Sequence, residues 1–174
     1  MKERTGLLQL GGKDATIIGE DIKVGQMAPE FTVQDQDWNP VNGLKKTQGK
    51  VRIIAAVPSL DTSVCDRETR RFNKEAASLS EDISILVISE DLPYTQRRWC
   101  GGAGVDQVLV LSDHMFADFA EKYGCLIKER RILRRAVFVV DPEGKVTYAD
   151  YMPALGDEPN YEKVLAAAKA VLSA

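Results

Sequence analysis

Apolar residues in this chain form short uninterrupted runs that are separated by stretches with helical spacing. Three runs predict buried strands, the last of them central in its sheet: Val51–Val57, Ile83–Ser89 and Arg135–Asp141. Between the first two runs, Phe72, Ala76 and Leu79 recur at a spacing that places them on one helical face. They predict an amphipathic helix over Cys65–Leu79.

The other segments continue an alternation of strands and helices. We predict further strands at Phe31–Gln34, Val108–Leu111 and Val146–Ala149, and helices at Asn42–Thr47, Pro93–Cys100, Met115–Tyr123 and Tyr161–Leu172. Thr5–Leu10 and Ala15–Ile18 flank two glycines and predict a β-hairpin. This order is typical of an α/β sandwich. We expect a single domain over residues 1–174, with residues 5–18 as a hairpin extension.

Composition and charge narrow the class of function. The chain has 174 residues and a net charge of −3, which does not favour nucleic acid or an anionic membrane as partners. Its apolar runs are far shorter than the ~20 residues that span a bilayer, and its start lacks the apolar segment of a signal peptide. We therefore expect a cytoplasmic protein. Three widely spaced cysteines in a reducing compartment favour redox chemistry, because a disulfide there is usually transient and catalytic.

The stretch Pro58–Cys65 joins the first buried strand to the amphipathic helix. A thiol at the start of a helix lies near unpaired N–H groups and a partial positive charge, which favour the thiolate. Pro58 ends the strand, and Thr62 or Ser63 can cap the helix. Thr62 can also hydrogen-bond to the sulfur or to a ligand. These features predict a nucleophilic Cys65, although a lone cysteine is also often an inert buried residue.

The spacing Pro58-x-x-x-Thr62-x-x-Cys65 resembles the active-site motif of peroxiredoxins. The string from Ser59 to Cys65, continued by Thr69-Arg70-Arg71-Phe72-Asn73, is similar to the thiol peroxidase branch of that family, which comprises atypical two-cysteine peroxiredoxins. The resemblance extends over nearly the whole chain. It includes Gly25-x-x-Ala28-Pro29-x-Phe31 and the N-terminal hairpin. It implies a thioredoxin-like fold of the peroxiredoxin type and a Cys65 thiolate that reduces hydroperoxides, with Pro58 and Thr62 in its loop.

The resemblance also assigns roles to Arg135 and Cys100. It implies that Arg135, rather than Arg134, is the cation beside the thiolate. Without it, Arg135 is interpreted as one of four arginines in a solvated basic run over residues 130–135. The segment Trp99-Cys100-Gly101 resembles the resolving-cysteine segment of thiol peroxidases, which implies a Cys65–Cys100 disulfide. Considered alone, Cys100 is a small buried residue near a helix end.

The other reactive side chains have structural interpretations. Cys125 follows a glycine helix stop and is expected to serve packing. His114 is expected to cap a helix or to lie at the surface, and Glu68 is left without a role. The sequence contains no C-x-x-C or H-x-x-x-H spacing, so we expect no metal site and no cofactor.

Three functions compete for this pattern. The first is a thiol-dependent peroxidase that reduces hydrogen peroxide and organic or lipid hydroperoxides. By resemblance it is reduced by thioredoxin and forms a homodimer. The second is a thiol–disulfide oxidoreductase. That class typically has a C-x-x-C pair, whereas Cys65 is followed by Asp66-Arg67-Glu68 in this chain. The third is a redox sensor, which uses the same thiol chemistry.

The implied disulfide also predicts motion. Cys65 begins one predicted helix and Cys100 ends another, so their sulfurs are expected to lie apart in the reduced fold. We expect the rearrangement to lie mostly between Pro93 and Gly104, because the glycines after Cys100 tolerate large backbone changes.

Overall fold

The computed structural model describes residues 1–76 and 78–174. Its strands are β1 (Glu3–Arg4), β2 (Gln9–Leu10), β3 (Lys13–Asp14), β4 (Ile17–Ile18), β5 (Thr32–Gln34), β6 (Pro40–Asn42), β7 (Val51–Ala56), β8 (Ile83–Ser89), β9 (Leu109–Ser112), β10 (Leu126–Ile127), β11 (Ile132–Leu133), β12 (Ala136–Val140) and β13 (Val146–Tyr151). Its helices are α1 (Gly43–Lys46), α2 (Ser63–Ala76), α3 (Pro93–Ala103), α4 (Asp118–Lys122) and α5 (Tyr161–Leu172).

Seven strands form the main sheet, in the order β13-β12-β7-β8-β9-β5-β6. Strands β7, β8 and β9 are parallel, and β12 pairs antiparallel with β7. The apolar runs of β7 and β8 fit this interior position because both faces of an interior strand are covered. Strand β8 is the middle strand of the seven; β12, from the run predicted to be central, is an interior strand between β13 and β7 and is buried throughout.

Alternate residues of the interior strands enter two cores on opposite faces of the sheet. Ile53 and Ala55 of β7 pack in one core with Phe72 of α2 and with residues of α3 and α5. Ile54 and Ala56 pack in the other core with α4 and with β10 and β11. The helices that carry Cys65 and Cys100 therefore cover the same face of the sheet.

The N-terminal segment differs from one continuous hairpin. Strands β2 and β3 form a short hairpin around the predicted Gly11-Gly12 turn, but its second strand is Lys13–Asp14 and not the predicted Ala15–Ile18. Outside it, β1 and β4 pair with each other, and β4 also pairs with β10, in a four-stranded sheet of order β1-β4-β10-β11. The predicted strand Thr5–Leu10 was therefore too long at its start, because the pairing is interrupted between β1 and β2.

Several predicted boundaries change. Helix α2 begins at Ser63, two residues before the predicted start, and is described to Ala76. Residue 77 lies outside the described residues, and Leu79, the predicted helix end, belongs to a turn. Helix α3 continues through the predicted stop at Gly101-Gly102 and ends at Gly104, which has a left-handed φ of 68°. The predicted helix Met115–Tyr123 is shorter, as α4. Within the described residues, no helix is long and apolar enough to cross a membrane.

Candidate active site

Cys65 is the third residue of α2 and is fully buried. The hydroxyl of Thr62 accepts a hydrogen bond from the Cys65 backbone N–H at 3.3 Å and donates to the carbonyl of Ser59 at 2.9 Å. Thr62, and not Ser63, is therefore the residue that caps the helix. The thiol lies in the first turn of α2, where the helix dipole favours a negative charge.

Arg135 lies against the sulfur of Cys65. Its Nη2 donates to Cys65 Sγ at 3.2 Å, and its Nε and Nη2 donate to the carbonyl of Leu155 at 3.0 and 2.8 Å. The β12–β7 register pairs Ala136 with Ala56, so Arg135 stands beside the end of β7 from which the loop through Pro58 departs. Arg135 is only 1% exposed, so its alternative interpretation as part of a solvated run was wrong.

Glu68 completes the cluster and received no role from the sequence. Its Oε2 accepts from Arg135 Nη1 at 2.6 Å, and its side chain is fully buried. Burial raises the pKa of Glu68 to about 7, against the opposing effect of the Arg135 charge. The spacing of three residues from Cys65 could have placed Glu68 on the same helical face.

The cluster can stabilise a thiolate and the charge that develops when it reacts. A guanidinium at hydrogen-bond distance favours the ionised sulfur through charge and through donation. A thiolate, unlike a thiol, is a nucleophile. The Thr62 hydroxyl bonds to the Cys65 N–H and to Ser59 and not to the sulfur, so it can serve a bound ligand only by turning from Ser59.

Asp91 fixes the loop that carries this site, and sequence reasoning missed it. It lies just beyond β8 and accepts hydrogen bonds from the Ser59 hydroxyl at 2.7 Å and the Leu60 N–H at 2.9 Å. The hydroxyl of Ser89 donates to the same carboxylate at 2.8 Å. The parallel pairing of β7 and β8 brings their carboxyl ends together, which places Asp91 beside the loop after β7.

Cys100 lies in the last turn of α3, and its sulfur has a different partner. Gln36, in the turn between β5 and β6, donates from Nε2 to Cys100 Sγ at 3.5 Å. Burial raises the pKa of the Cys100 thiol, and the hydrogen bond from Gln36 opposes this shift. Cys65 and Cys100 are both free thiols in this structure.

Helices α2 and α3 nevertheless meet beside the two cysteines. Trp99 Nε1 donates to Asp66 Oδ1 at 3.0 Å, so the residue after Cys65 contacts the residue before Cys100. A groove of about 800 Å³ lies between the two helices. Its lining includes Leu60, Thr62, Arg67, Arg98 and Trp99.

The remaining cysteine and the histidine lie elsewhere. Cys125 packs in the core on the opposite face of the sheet from Cys65, where burial raises the pKa of its thiol. His114 is exposed. Among the described residues, no group of three or more His, Cys, Asp or Glu side chains could hold a metal ion.

A buried cysteine thiol at a helix start, paired with a guanidinium on a mixed α/β sheet, defines a thiol redox centre. The model of the Redoxin family matches residues 23–165, so the chain belongs to that family. It is 49% identical over 161 residues to a thiol peroxidase of Bacillus subtilis, covering 92% of this chain and 95% of the relative. It is 51% identical over 150 residues to a thiol peroxidase of Oceanobacillus iheyensis, covering 86% and 90%.

Solved structures give the same result for the fold. A peroxiredoxin-like protein from Aquifex aeolicus superposes with a TM-score of 0.85 at 39% identity, over 96% of this chain and 98% of the other. A thiol peroxidase from Chromobacterium violaceum superposes with a TM-score of 0.81 at 21% identity, over 95% and 97%. The predicted thioredoxin-like fold of the peroxiredoxin type is confirmed. The sequence relatives place the chain among the thiol-dependent peroxidases of that type.

Proposed function

We propose that this protein reduces hydrogen peroxide and organic or lipid hydroperoxides through Cys65, forms a Cys65–Cys100 disulfide, and is reduced again by thioredoxin. The observation that carries the proposal is the 3.2 Å contact between Arg135 Nη2 and Cys65 Sγ in the first turn of α2. This contact favours the nucleophilic thiolate at the position where the family motif has its reactive cysteine.

In the first step the Cys65 thiolate attacks one peroxide oxygen. The S–O bond forms as the O–O bond breaks, which gives a sulfenic acid and, after protonation, water or an alcohol. Arg135 stabilises the negative charge that passes from sulfur to the peroxide oxygens. The Thr62 hydroxyl is a second donor for these oxygens after it turns from Ser59. Pro58 is buried at the base of the loop and fixes the backbone where the chain leaves β7.

In the second step the sulfur of Cys100 attacks the sulfenic sulfur of Cys65. The S–S bond forms, the S–O bond breaks, and water leaves. Cys65 Sγ lies on Arg135 and Cys100 Sγ lies on Gln36, so bond formation breaks both contacts, and we place the accompanying movement in the C-terminal part of α3. A dithiol reductant then returns both cysteines to thiols.

Three wider aspects belong to the same proposal. Thioredoxin as the reductant and a homodimeric assembly rest on the resemblance to thiol peroxidases. A cytoplasmic location is supported by the three cysteines, which are free thiols here and whose odd number and wide spacings do not resemble a secreted disulfide framework.

The experiment is peroxide-dependent NADPH oxidation in the presence of thioredoxin and thioredoxin reductase. We expect wild-type turnover, complete loss in Cys65→Ser, and near wild-type turnover in Cys125→Ser, which is the matched control because Cys125 is also a fully buried thiol. Turnover in Cys65→Ser above a trace would refute the proposed nucleophile. Rapid disulfide exchange without peroxide turnover would favour the oxidoreductase instead.

A further inference from the structure

We propose that Asp66, Arg70 and Trp99 form a latch between α2 and α3 that sets how fast Cys100 is released to react with oxidised Cys65. These three residues are called the α2–α3 latch below. They are positioning residues, since their hydrogen bonds join α2 to α3 and the sulfurs of Cys65 and Cys100 have other partners, Arg135 and Gln36. The inference rests on the proposed function, because it concerns the step that joins Cys65 to Cys100.

The latch contacts bracket Cys100. Trp99 Nε1 donates to Asp66 Oδ1 at 3.0 Å on one side of the cysteine. Arg70 Nη1 donates to the carbonyl of Ala103 at 3.5 Å on the other side. Arg70 also lies over the Trp99 ring, 5.6 Å from the ring centroid to its guanidinium carbon, and its Nε donates to Asp66 Oδ2 at 2.9 Å. All three residues therefore contact one another.

The start of α3 is held by a different and more buried set of contacts. Gln96 is fully buried and donates to the Ser89 hydroxyl at 3.1 Å and to the Leu111 carbonyl at 2.9 Å. The carbonyl of Asp91 accepts from the Ser112 hydroxyl at 2.6 Å. Because these contacts tie the helix start to β8 and β9, opening is expected to involve residues 97–104. This is narrower than the segment from Pro93 that the sequence indicated.

The latch itself is suited to opening. The side chains of Asp66 and Arg70 are 34% and 50% exposed, so water replaces their contacts at small cost. Gly101 and Gly102 lie in the released segment, and a Cβ on either would meet no neighbour within 4 Å. Beyond Ala103, Gly104 in its left-handed conformation ends the helix. Because glycine adopts backbone conformations that other residues rarely adopt, these positions allow the released segment to change its backbone.

The opening rate decides between two fates of the Cys65 sulfenic acid. Resolution combines Cys65–SOH with the Cys100 thiol to give the disulfide and water. Over-oxidation combines Cys65–SOH with a second hydroperoxide to give the sulfinic acid and an alcohol or water. Cys65 in the sulfinic form no longer takes part in turnover. A tighter latch slows resolution and leaves the sulfenic acid exposed to peroxide for longer. A looser latch favours the disulfide.

The test compares Trp99→Phe, which keeps the ring and removes the N–H donor, with Asp66→Ala and with the double variant. Glu75→Gln is the control, since it removes an i,i+4 carboxylate partner from Arg71 on α2. Amide exchange of residues 97–104 in the reduced proteins measures opening. Rapid-quench mass spectrometry after one peroxide addition measures the sulfenic, disulfide and sulfinic forms of Cys65.

We expect each single latch variant to raise amide exchange in residues 97–104 and the rate of disulfide formation by roughly fivefold to tenfold. The double variant should add little to Asp66→Ala, because that change already removes the hydrogen bond of Trp99 Nε1 and also removes the contact between Asp66 and Arg70. The rate of the first peroxide reaction should not change, the yield of sulfinic acid at high peroxide should fall, and Glu75→Gln should behave as wild type.

Unchanged exchange in residues 97–104, or faster exchange without faster disulfide formation, would overturn the latch while leaving the proposed function intact. A wild-type protein that reacts with peroxide at Cys65 but forms no Cys65–Cys100 disulfide would refute the proposed resolving step. The latch proposal would fail with it.

Discussion

Replacing Arg135 with methionine removes the guanidinium from Cys65 while keeping a long side chain. The lost contact is a hydrogen bond from a cation to the sulfur at 3.2 Å, in a site where Arg135 is 1% exposed. Hydrogen bonds to charged groups contribute about 1.5–3 kcal/mol. We therefore expect the second-order rate constant for the reaction of Cys65 with peroxide to fall by roughly 10- to 150-fold.

The same change leaves Glu68 buried without its cation. Breaking a buried pair by removing one partner costs about 3–5 kcal/mol of folding free energy. The double variant Arg135→Met/Glu68→Gln removes this unpaired carboxylate and separates the catalytic effect from loss of the fold. We expect the double variant to be more stable than the single one but equally slow with peroxide.

Stopped-flow measurement of the reduced protein against hydrogen peroxide gives the rate constant, and ultraviolet thiolate absorbance against pH gives the ionised fraction of Cys65. Arg134→Met is the matched control, because Arg134 is a buried neighbour that pairs with Asp21 at 2.7 Å and lies over Tyr151. A rate constant in the double variant within about threefold of wild type, well below the effect of a charged hydrogen bond, would refute the role of Arg135.

Two further predictions concern the same cluster. Thr62→Val should cost about 0.5–2 kcal/mol of unfolding free energy through loss of the helix cap, and it should slow the reaction of Cys65 with peroxide. Thr62→Ser keeps the hydroxyl and should restore both the stability and the rate. Equal peroxide rates in the two variants would contradict the role of the Thr62 hydroxyl as a donor to peroxide. Glu68 has a folded pKa of about 7, above its usual 4.5, so its stability contribution is complete below pH 4.5 and is lost as pH rises through 7. Wild type should thus lose about 3 kcal/mol of stability over this interval relative to Glu68→Gln in chemical denaturation, and parallel pH profiles would contradict the shift.

Elements with strong periodicity could be predicted from the sequence. The bounds of β8 and α5 agree with the apolar patterns over Ile83–Ser89 and Tyr161–Leu172. Strands β10 and β11 were not predicted because a strand of two residues is too short to show an alternation of apolar and polar positions. Their sheet also depends on β4, which comes from the distant N-terminal segment. Helix α4 was predicted too long because Ala117, inside the predicted helix, adopts a left-handed φ of 50°.

For the site too, features set by local contacts could be predicted from the sequence, and features set by distant contacts could not. The position of Cys65 at a helix start, and its Thr62 cap, follow from residues next to it in the chain. The approach of Arg135 depends on the β12–β7 register, so it required the family resemblance. Gln36 and Asp91 reach the two cysteine segments from separate loops, and nothing in their local sequence indicates those partners.

Peptide mass mapping of the protein after one equivalent of hydroperoxide, digested without reductant, tests the proposed chemistry most directly. The reduced structure holds both thiols free, so any new bond is a product of turnover. We expect one intramolecular disulfide between Cys65 and Cys100, with Cys125 still a thiol. A Cys65–Cys125 bond, an intermolecular bond, or an unmodified Cys65 after the peroxide is consumed would contradict the proposed mechanism.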